Sequence, residues 1–288
     1  MAQNLQLLKR RIRTSKNIAQ IAKALEMIAA SKIKKAQAAS QNNKPYADRI
    51  TITTSKVLHS LKDTPFTHPY LVQPDGSAQK KHQNKKLIIA ISPDRGLCGS
   101  LNTNLYKKLM EIDDSNTKIV TIGKKVGLFA SKLSCELLFS YPMGTTLPDY
   151  SLVYQLKDII DNELKKGEIS SVGILYADFV SYFTQTPSVK QLLPLEFETE
   201  EKDLGDTSLF EPGRVELLDE LLPYYLQVQL YNSLLQAFTS EQAAQMVAMQ
   251  NAKNNAFDIA EYLNLVYNKS RQERITNEIL DLSNSANI

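Results

Sequence analysis

Glycine and proline, the two residues that break helices, are confined to the middle of this 288-residue chain. All ten glycines lie between Gly76 and Gly213, and the eleven prolines run from Pro45 to Pro223. Residues 1–44 and 224–288 contain neither, so both ends are expected to be long uninterrupted helices with a compact domain between them. A 65-residue helix would be roughly 95 Å long at 1.5 Å per residue, several times the usual length.

The C-terminal stretch carries a seam. Leu235, Phe238, Gln242, Gln245, Met249, Ala252, Ala256, Ile259, Leu263 and Val266 alternate spacings of three and four, the heptad pattern of a left-handed coiled coil. The N-terminal stretch has two weaker rows. Ile18, Ile21, Leu25 and Ile28 form one; Leu8, Ile12, Ser15, Ala19, Ala22, Glu26, Ala29, Ile33 and Ala36 form the other. Small residues dominate, which permits close helix approach, and two rows on one helix imply more than one neighbour. Periodicity alone fits a helical bundle equally well, but a bundle needs more long helices than this chain supplies. Gln242 and Gln245 interrupt the seam, as expected where a rod leaves its partner helix for water or another subunit.

Charge divides along the chain. Residues 1–60 hold 12 Lys/Arg and 2 Asp/Glu, whereas residues 207–288 hold 5 and 10. A basic N-terminal helix and an acidic C-terminal one attract each other when side by side, and the basic surplus predicts acidic partners. No run of 18 apolar residues predicts a membrane span, and the start MAQNLQLLKRRIR lacks the apolar region of a secretory leader. Two cysteines, Cys98 and Cys135, make neither a disulfide framework nor a Cys-rich zinc site. His59, His68 and His82 show no ligand spacing, so they are expected on the surface or in a linker, with no metal.

Four segments are predicted: an N-terminal coiled-coil helix over 1–61, a polar linker over 62–86 with three prolines, an α/β domain over 87–205, and a C-terminal coiled-coil helix over 206–288. Within the domain, strands are expected at Leu87–Ser92, Lys118–Ile122, Leu137–Ser140 and Val172–Ala177. Helices are expected at Asn102–Ile112, Lys124–Lys132 and Pro148–Lys166, with Pro148 in the first turn and Gly167 as the stop. Residues 178–197 read as a hairpin around Pro187. Alternating strands and helices predict a Rossmann-like, mostly parallel sheet.

The sequence SPDRGLCGSLN, Ser92–Asn102, follows the first strand and opens a helix, which is where α/β folds bind phosphate. It matches neither G-x-G-x-x-G nor the Walker pattern, and no phosphate-binding lysine follows. Gly96 and Gly99 are better read as structural glycines of a tight turn. Cys98 sits where a helix N-terminus lowers a thiol pKa, but no catalytic partner accompanies it. No catalytic residues and no cofactor site are assigned.

Three segments carry a resemblance: RRIRTSKNIAQIAKALEMIAASKIKKAQ (Arg10–Gln37), PDRGLCGSLN (Pro93–Asn102), and SEQAAQMVAMQNAKNNAFD (Ser240–Asp258) with LVYNKSRQERITNEILDL (Leu265–Leu282). In that order they resemble the gamma subunits of F-type ATP synthases over the whole chain. The resemblance implies a rotor: an antiparallel coiled coil of the two terminal helices inside a ring of three alpha and three beta subunits, with the α/β domain against epsilon and the membrane c-ring. It implies a non-catalytic shaft that couples proton-driven rotation to ATP synthesis or hydrolysis on beta, with no small-molecule substrate of its own. Lys23, Met27, Ala29, Ala30, Lys32 and Gln37 match the family in the first helix; Glu241, Met246, Met249, Asn268, Arg271, Gln272, Thr276 and Glu278 match in the last. The implied contacts to the ring are Lys23, Leu25, Met27, Lys32, Gln245, Met249, Gln272, Thr276 and Glu278.

The chain departs from the family at three of the positions compared. Leu25 stands where Met is common, a volume-conserving swap. Gln245 replaces a common Arg, which removes one charge-assisted contact to beta, and Pro93 replaces Ser or Thr. The thiol-regulated insertion of chloroplast relatives is absent, so a peripheral protein on the cytoplasmic face of a bacterial inner membrane is expected. Two other readings compete. A nucleic-acid-binding protein with a basic coiled-coil arm is supported by the N-terminal charge, but Tyr46 is the one aromatic residue in 1–60. A nucleotide-dependent enzyme centred on Pro93–Asn102 lacks the phosphate-binding lysine.

Overall fold

A computed structural model describes residues 2–61, 66–71, 85–195 and 213–285. The N-terminal helix α1 spans Ala2–His59 and the C-terminal helix α5 spans Arg214–Ser285, 58 and 72 residues. Each runs through the proline that ends its breaker-free stretch, Pro45 in α1 and Pro223 in α5. An interior proline typically costs ~3 kcal/mol through its missing N–H and its clash with the carbonyl four residues back. Packing holds both helices across the gap. Beyond Pro45, Ala47 and Ile50 are buried against Val228 and Tyr225; Leu222 and Leu226 flank Pro223 in the core. The residues after the prolines, Tyr46 and Tyr224, meet edge to face.

The chain forms two compact units, Met1–Ala30 with Gln245–Ile288, and Ser31–Ala244. The first is an antiparallel helix pair. Lys253 on α5 pairs with Glu26 on α1 at 2.8 Å, and Leu7–Ser15 border the same groove as Ile259–Leu263, so numbers fall along one helix as they rise along the other. The contact line on α1 is the Ile12–Ala19–Ala22–Ala29 row; Ile18, Ile21 and Ile28 of the other row are exposed. On α5, Met249, Ala256 and Ala260 are buried, whereas Ile259 is about half exposed. The seam thus passes through Ala260 rather than Ile259, because two alanine rows pack closest where neither side chain is bulky.

The second unit holds a five-stranded sheet in the order β3-β2-β1-β4-β5, from β1 (Lys85–Ile91), β2 (Thr117–Ile122), β3 (Glu136–Tyr141), β4 (Ile169–Phe179) and β5 (Gln185–Leu193). The first four are parallel and β5 returns antiparallel to β4. Every expected strand overlaps an observed one, but the hairpin expected around Pro187 instead joins β4 to β5 through residues 180–184, with Pro187 inside β5 opposite Ala177. Helices α2 (Leu101–Met110), α3 (Lys124–Ala130) and α4 (Tyr150–Lys166) connect the parallel strands. Asp149 caps α4 by accepting from the Tyr150 N–H at 2.8 Å, so Pro148 lies before the cap, not inside the first turn. Gly167 closes α4 in the left-handed conformation, φ 69°.

The central strands are buried on both faces, as parallel strands covered by helices must be. Ile88 and Ala90 face Leu101, Leu105 and Val126 of α2 and α3. Leu87, Ile89 and Ile91 face α4 and a row on α5, Leu218, Leu222, Leu226, Leu230 and Leu234. That row repeats every four residues and therefore winds round the helix by about 40° per step. Over 226–244 α5 is buried on nearly all sides, the mark of a core helix. Gln242 is accordingly buried within this unit, its Oε1 without a partner in the described structure, where the seam pattern predicts water or another subunit.

Of the polar stretch expected as a linker, residues 66–71 pack on this unit. Tyr70 is buried, its hydroxyl donates to Asp161, and its carbonyl accepts from Leu195 N–H at 2.7 Å. The remaining linker residues, and the expected boundary at 205 and 206, lie outside the described residues. A buried ion cluster ties β2 to α4: Lys118 pairs with Glu163 at 2.5 Å and with Glu168, and Lys166 pairs with Glu163 at 2.5 Å. Burial alone would lower the Lys118 pKa, but Glu163 and Glu168 outweigh it and raise it. Burial would likewise raise Glu163, yet Lys118 and Lys166 hold it below the usual carboxylate range.

Candidate functional site

The turn after β1 was the sequence's candidate for phosphate chemistry; in the structure it serves to tie loops together. Asp94 reaches out of the turn with its carboxylate. Its Oδ1 accepts from Lys124 N–H at 2.9 Å and Met143 N–H at 3.1 Å, and its Oδ2 from Gly144 N–H at 2.8 Å. Ser92 Oγ accepts from Val126 N–H at 3.1 Å. The start of α3 is thus capped from another loop, by the Asp94 carboxylate and the Ser92 hydroxyl.

Gly99 is left-handed at φ 59°, as a glycine in a tight turn should be, but the second left-handed residue is Leu97, φ 69°. Gly96 is not in that region and a Cβ there would meet nothing, so the turn does not require glycine at 96. The position that does is Gly123, with φ 112° and an ideal Cβ 2.0 Å from the Ser92 carbonyl oxygen. Cys98 is buried, with Asn102 Nδ2 donating to its sulfur at 3.4 Å. Burial, and then the Glu241 carboxyl, push its thiol up. The thiol is therefore not activated by the helix start.

The residues assigned to ring contacts are spread along both helices. Lys23 and Met27 are exposed one turn apart on α1, and Leu25 is half-buried between them. Gln272, Thr276 and Glu278 are exposed on the last turns of α5, where Thr276 donates to the Gln272 carbonyl at 3.0 Å and Arg274 pairs with Glu278 at 2.7 Å. Because Glu26 lies beside Lys253, the antiparallel register puts the Lys23 group and the Gln272 group at different levels. Gln245 is half-buried, while Met249 is buried in the seam and packs the pair together. Lys32, in the second unit, is half-buried. His68 is half-buried and accepts from Tyr70 N–H at 3.1 Å; burial lowers its pKa, against Asp219 and Asp161.

Two features escaped the sequence reading. One is Asp94, whose partners are 30–50 residues away; no local pattern marks a carboxylate that caps someone else's helix. The other is the Leu218–Leu234 row, which was legible as five leucines at four-residue spacing but lies across Pro223. Among the described residues no helix is long and apolar enough to cross a membrane, and no three His, Cys, Asp or Glu side chains could share a metal.

A chain with two long antiparallel terminal helices around a β3-β2-β1-β4-β5 domain finds close relatives. The ATP synthase family model matches residues 4–287. The ATP synthase gamma chain of Dehalococcoides mccartyi is 36% identical over 287 residues, 98% of each chain. The chain belongs to the ATP synthase gamma chain family. The gamma chain of Glaesserella parasuis is also 36% identical, with 94% of each chain covered. The fold agrees: a chain of the Euglena gracilis mitochondrial ATP synthase, solved by cryo-electron microscopy as the OSCP/F1/c-ring assembly in rotational state 3, matches 99% of this chain at TM-score 0.69 and 20% identity, with 94% of that chain covered. A chain of the rotor from the same organism's enzyme matches at TM-score 0.66 and 18% identity, covering 96% of this chain and 100% of that one.

Proposed function

We propose that this gamma-family chain is the central rotor shaft of a proton-translocating F-type ATP synthase. It turns inside the ring of alpha and beta subunits and carries torque from the c-ring, with epsilon against the α/β domain. The catalytic sites are on beta, and the assembly sits on the cytoplasmic face of a bacterial inner membrane. The observation that carries this reading is the surface of the first unit. Its seam is built from alanines, and Ile18, Ile21, Met27 and Ile28 of α1 with Phe257, Tyr262 and Leu265 of α5 remain exposed. Apolar surface of that extent marks a protein interface. Around it, residues 4–30 hold six Lys/Arg and one Glu, which suits acidic loops on the ring.

Lys23, Leu25, Met27, Gln272, Thr276 and Glu278 are assigned to that interface, with Gln245 and Lys32 as half-buried contributors. Met249 is assigned to the seam. The shaft reading also gives a reason for the missing glycines, since a helix that transmits torque must resist local unwinding. The test is co-purification of the tagged chain from membranes: alpha and beta subunits come with it, and their absence sinks the proposal. Glycine pairs inserted near Ala256 are expected to abolish coupling between ATP hydrolysis and proton pumping before assembly is lost.

A further inference from the structure

Pro45 of α1 and Pro223 of α5 carry no N–H, so each helix lacks one bond of its backbone ladder there. The residues that follow, Tyr46 and Tyr224, meet across the two helices. Their rings stand edge to face, centroids 5.7 Å apart at 87°, and the Tyr46 hydroxyl donates to the Tyr224 hydroxyl. Both rings are exposed. Packing fixes the helices at this level: Ala47, Ile50 and Val228 are buried together with Tyr225 against them, and Asn43 Nδ2 donates to Asn232 Oδ1 at 2.8 Å. When a phenol is oxidised, the ring carbons that flank the oxygen share the unpaired electron. A hydroxyl-to-hydroxyl contact places one such carbon of each ring beside the other. The Tyr150–Tyr231 pair is closer, 4.6 Å at 34°, but it brings ring faces together and both rings are half-buried.

We propose that Tyr46 and Tyr224 form an oxidative cross-linking site, at which a peroxide-derived one-electron oxidant joins α1 to α5 as a dityrosine. Each phenol gives up one electron and its hydroxyl proton. The two phenoxyl radicals combine, and a bond forms between the ring carbons next to the two oxygens. The C–H bond at each of those carbons then breaks, its hydrogen passing as a proton to the phenol oxygen, and both rings regain aromaticity. The sum is two electrons and two protons lost, which reduce one hydrogen peroxide to two waters. The link joins positions 178 apart in sequence at the level of both proline gaps, and it stabilises the fold chiefly by restricting the unfolded chain. Both tyrosines belong to the second unit, so the link stiffens the chain without tying it to a neighbour.

The test is treatment of the full-length chain with a peroxidase and hydrogen peroxide, read by dityrosine fluorescence and by mass spectrometry of proteolytic peptides. The expected product is a monomeric chain whose Tyr46 and Tyr224 peptides are joined with the loss of two hydrogens, and which melts at a higher temperature than the untreated chain. Tyr46→Phe and Tyr224→Phe should each lower the intrachain yield at least ~tenfold, because partners held in place react far faster than partners that must meet. Either variant serves if the other fails to fold. Tyr262→Phe, which removes a more exposed tyrosine, should leave the yield unchanged. Preferential joining of Tyr150 to Tyr231, dimers between chains as the main product, an undiminished yield in the Tyr46 and Tyr224 variants, or a linked chain that melts no higher would overturn the proposal. The readout does not depend on alpha or beta subunits, so it fails separately from the rotor reading.

Discussion

Helix α5 is buried on nearly every side over 226–244, and over 245–280 little more than a narrow line of it is covered. In the second unit the buried apolar side chains of α5 are mostly leucine; in the first, those of the pair are mostly alanine. A buried leucine contributes roughly 1.5–3 kcal/mol relative to an exposed one, and an alanine far less. The α/β unit therefore carries its own stability. The helix pair has close backbone approach and few large apolar contacts, so its stability depends on what covers it. One chain thus combines a self-sufficient domain with a rod that is completed from outside.

The most disruptive way to probe the self-sufficient side is Lys118→Met. It leaves Glu163 buried with its one buried lysine partner gone and only the exposed Lys166 beside it, and a loss of about 3–5 kcal/mol is expected by denaturant titration. Replacing Glu163 by Leu as well should recover most of it. Acid should probe the same cluster. The folded Glu163 pKa is depressed, so its contribution is present above the ordinary glutamate range and is lost as pH falls through and below it.

Next in size is Leu226→Ala, which empties a fully buried position and should cost about 3 kcal/mol. Segment-resolved hydrogen exchange should show the loss in residues 85–195, with much less change in residues 4–30. Equal loss in both would contradict separate units.

Glu241→Gln should have the opposite sign. The folded pKa of Glu241 is raised, so its contribution is full below the ordinary glutamate range and is lost as pH rises toward 7. At pH 8 the glutamine variant should be more stable by about 2 kcal/mol, with the gain gone by pH 4.5. A gain independent of pH would show that burial of a polar side chain, not ionisation, sets the effect.

On the rod the expected effects in the isolated chain are small. Lys253→Ala should cost under ~1 kcal/mol, as partly exposed pairs do. Ile21→Ser should change thermal stability within about 0.5 kcal/mol yet weaken assembly with alpha and beta in reconstitution. If Ile21→Ser unfolds the free chain, the rod is not completed from outside.

Much of this was legible because it is periodic. The alanine row of α1 is visible in the spacing, and so are the strands, since each depends on side chains a few residues apart. Both helices continue through the prolines that end their breaker-free stretches, Pro45 and Pro223, where Val228, Leu222 and Leu226 override the local penalty. Ile259 was placed in the seam and Ala260 was not, because a strict heptad cannot say which of two neighbours sits at the closest approach.

The sequence by itself determined two long helices, an α/β domain with its strands in place, the charge of the rod and the family. Those properties follow from local pattern and from residue matches along the chain. Only the tertiary structure decided that Asp94 caps α3, that Gly123 rather than Gly96 is sterically required, and that Gln242 is enclosed. Each depends on groups brought together from distant parts of the chain, where burial and opposing charge act over a few ångströms and sequence spacing carries no signal.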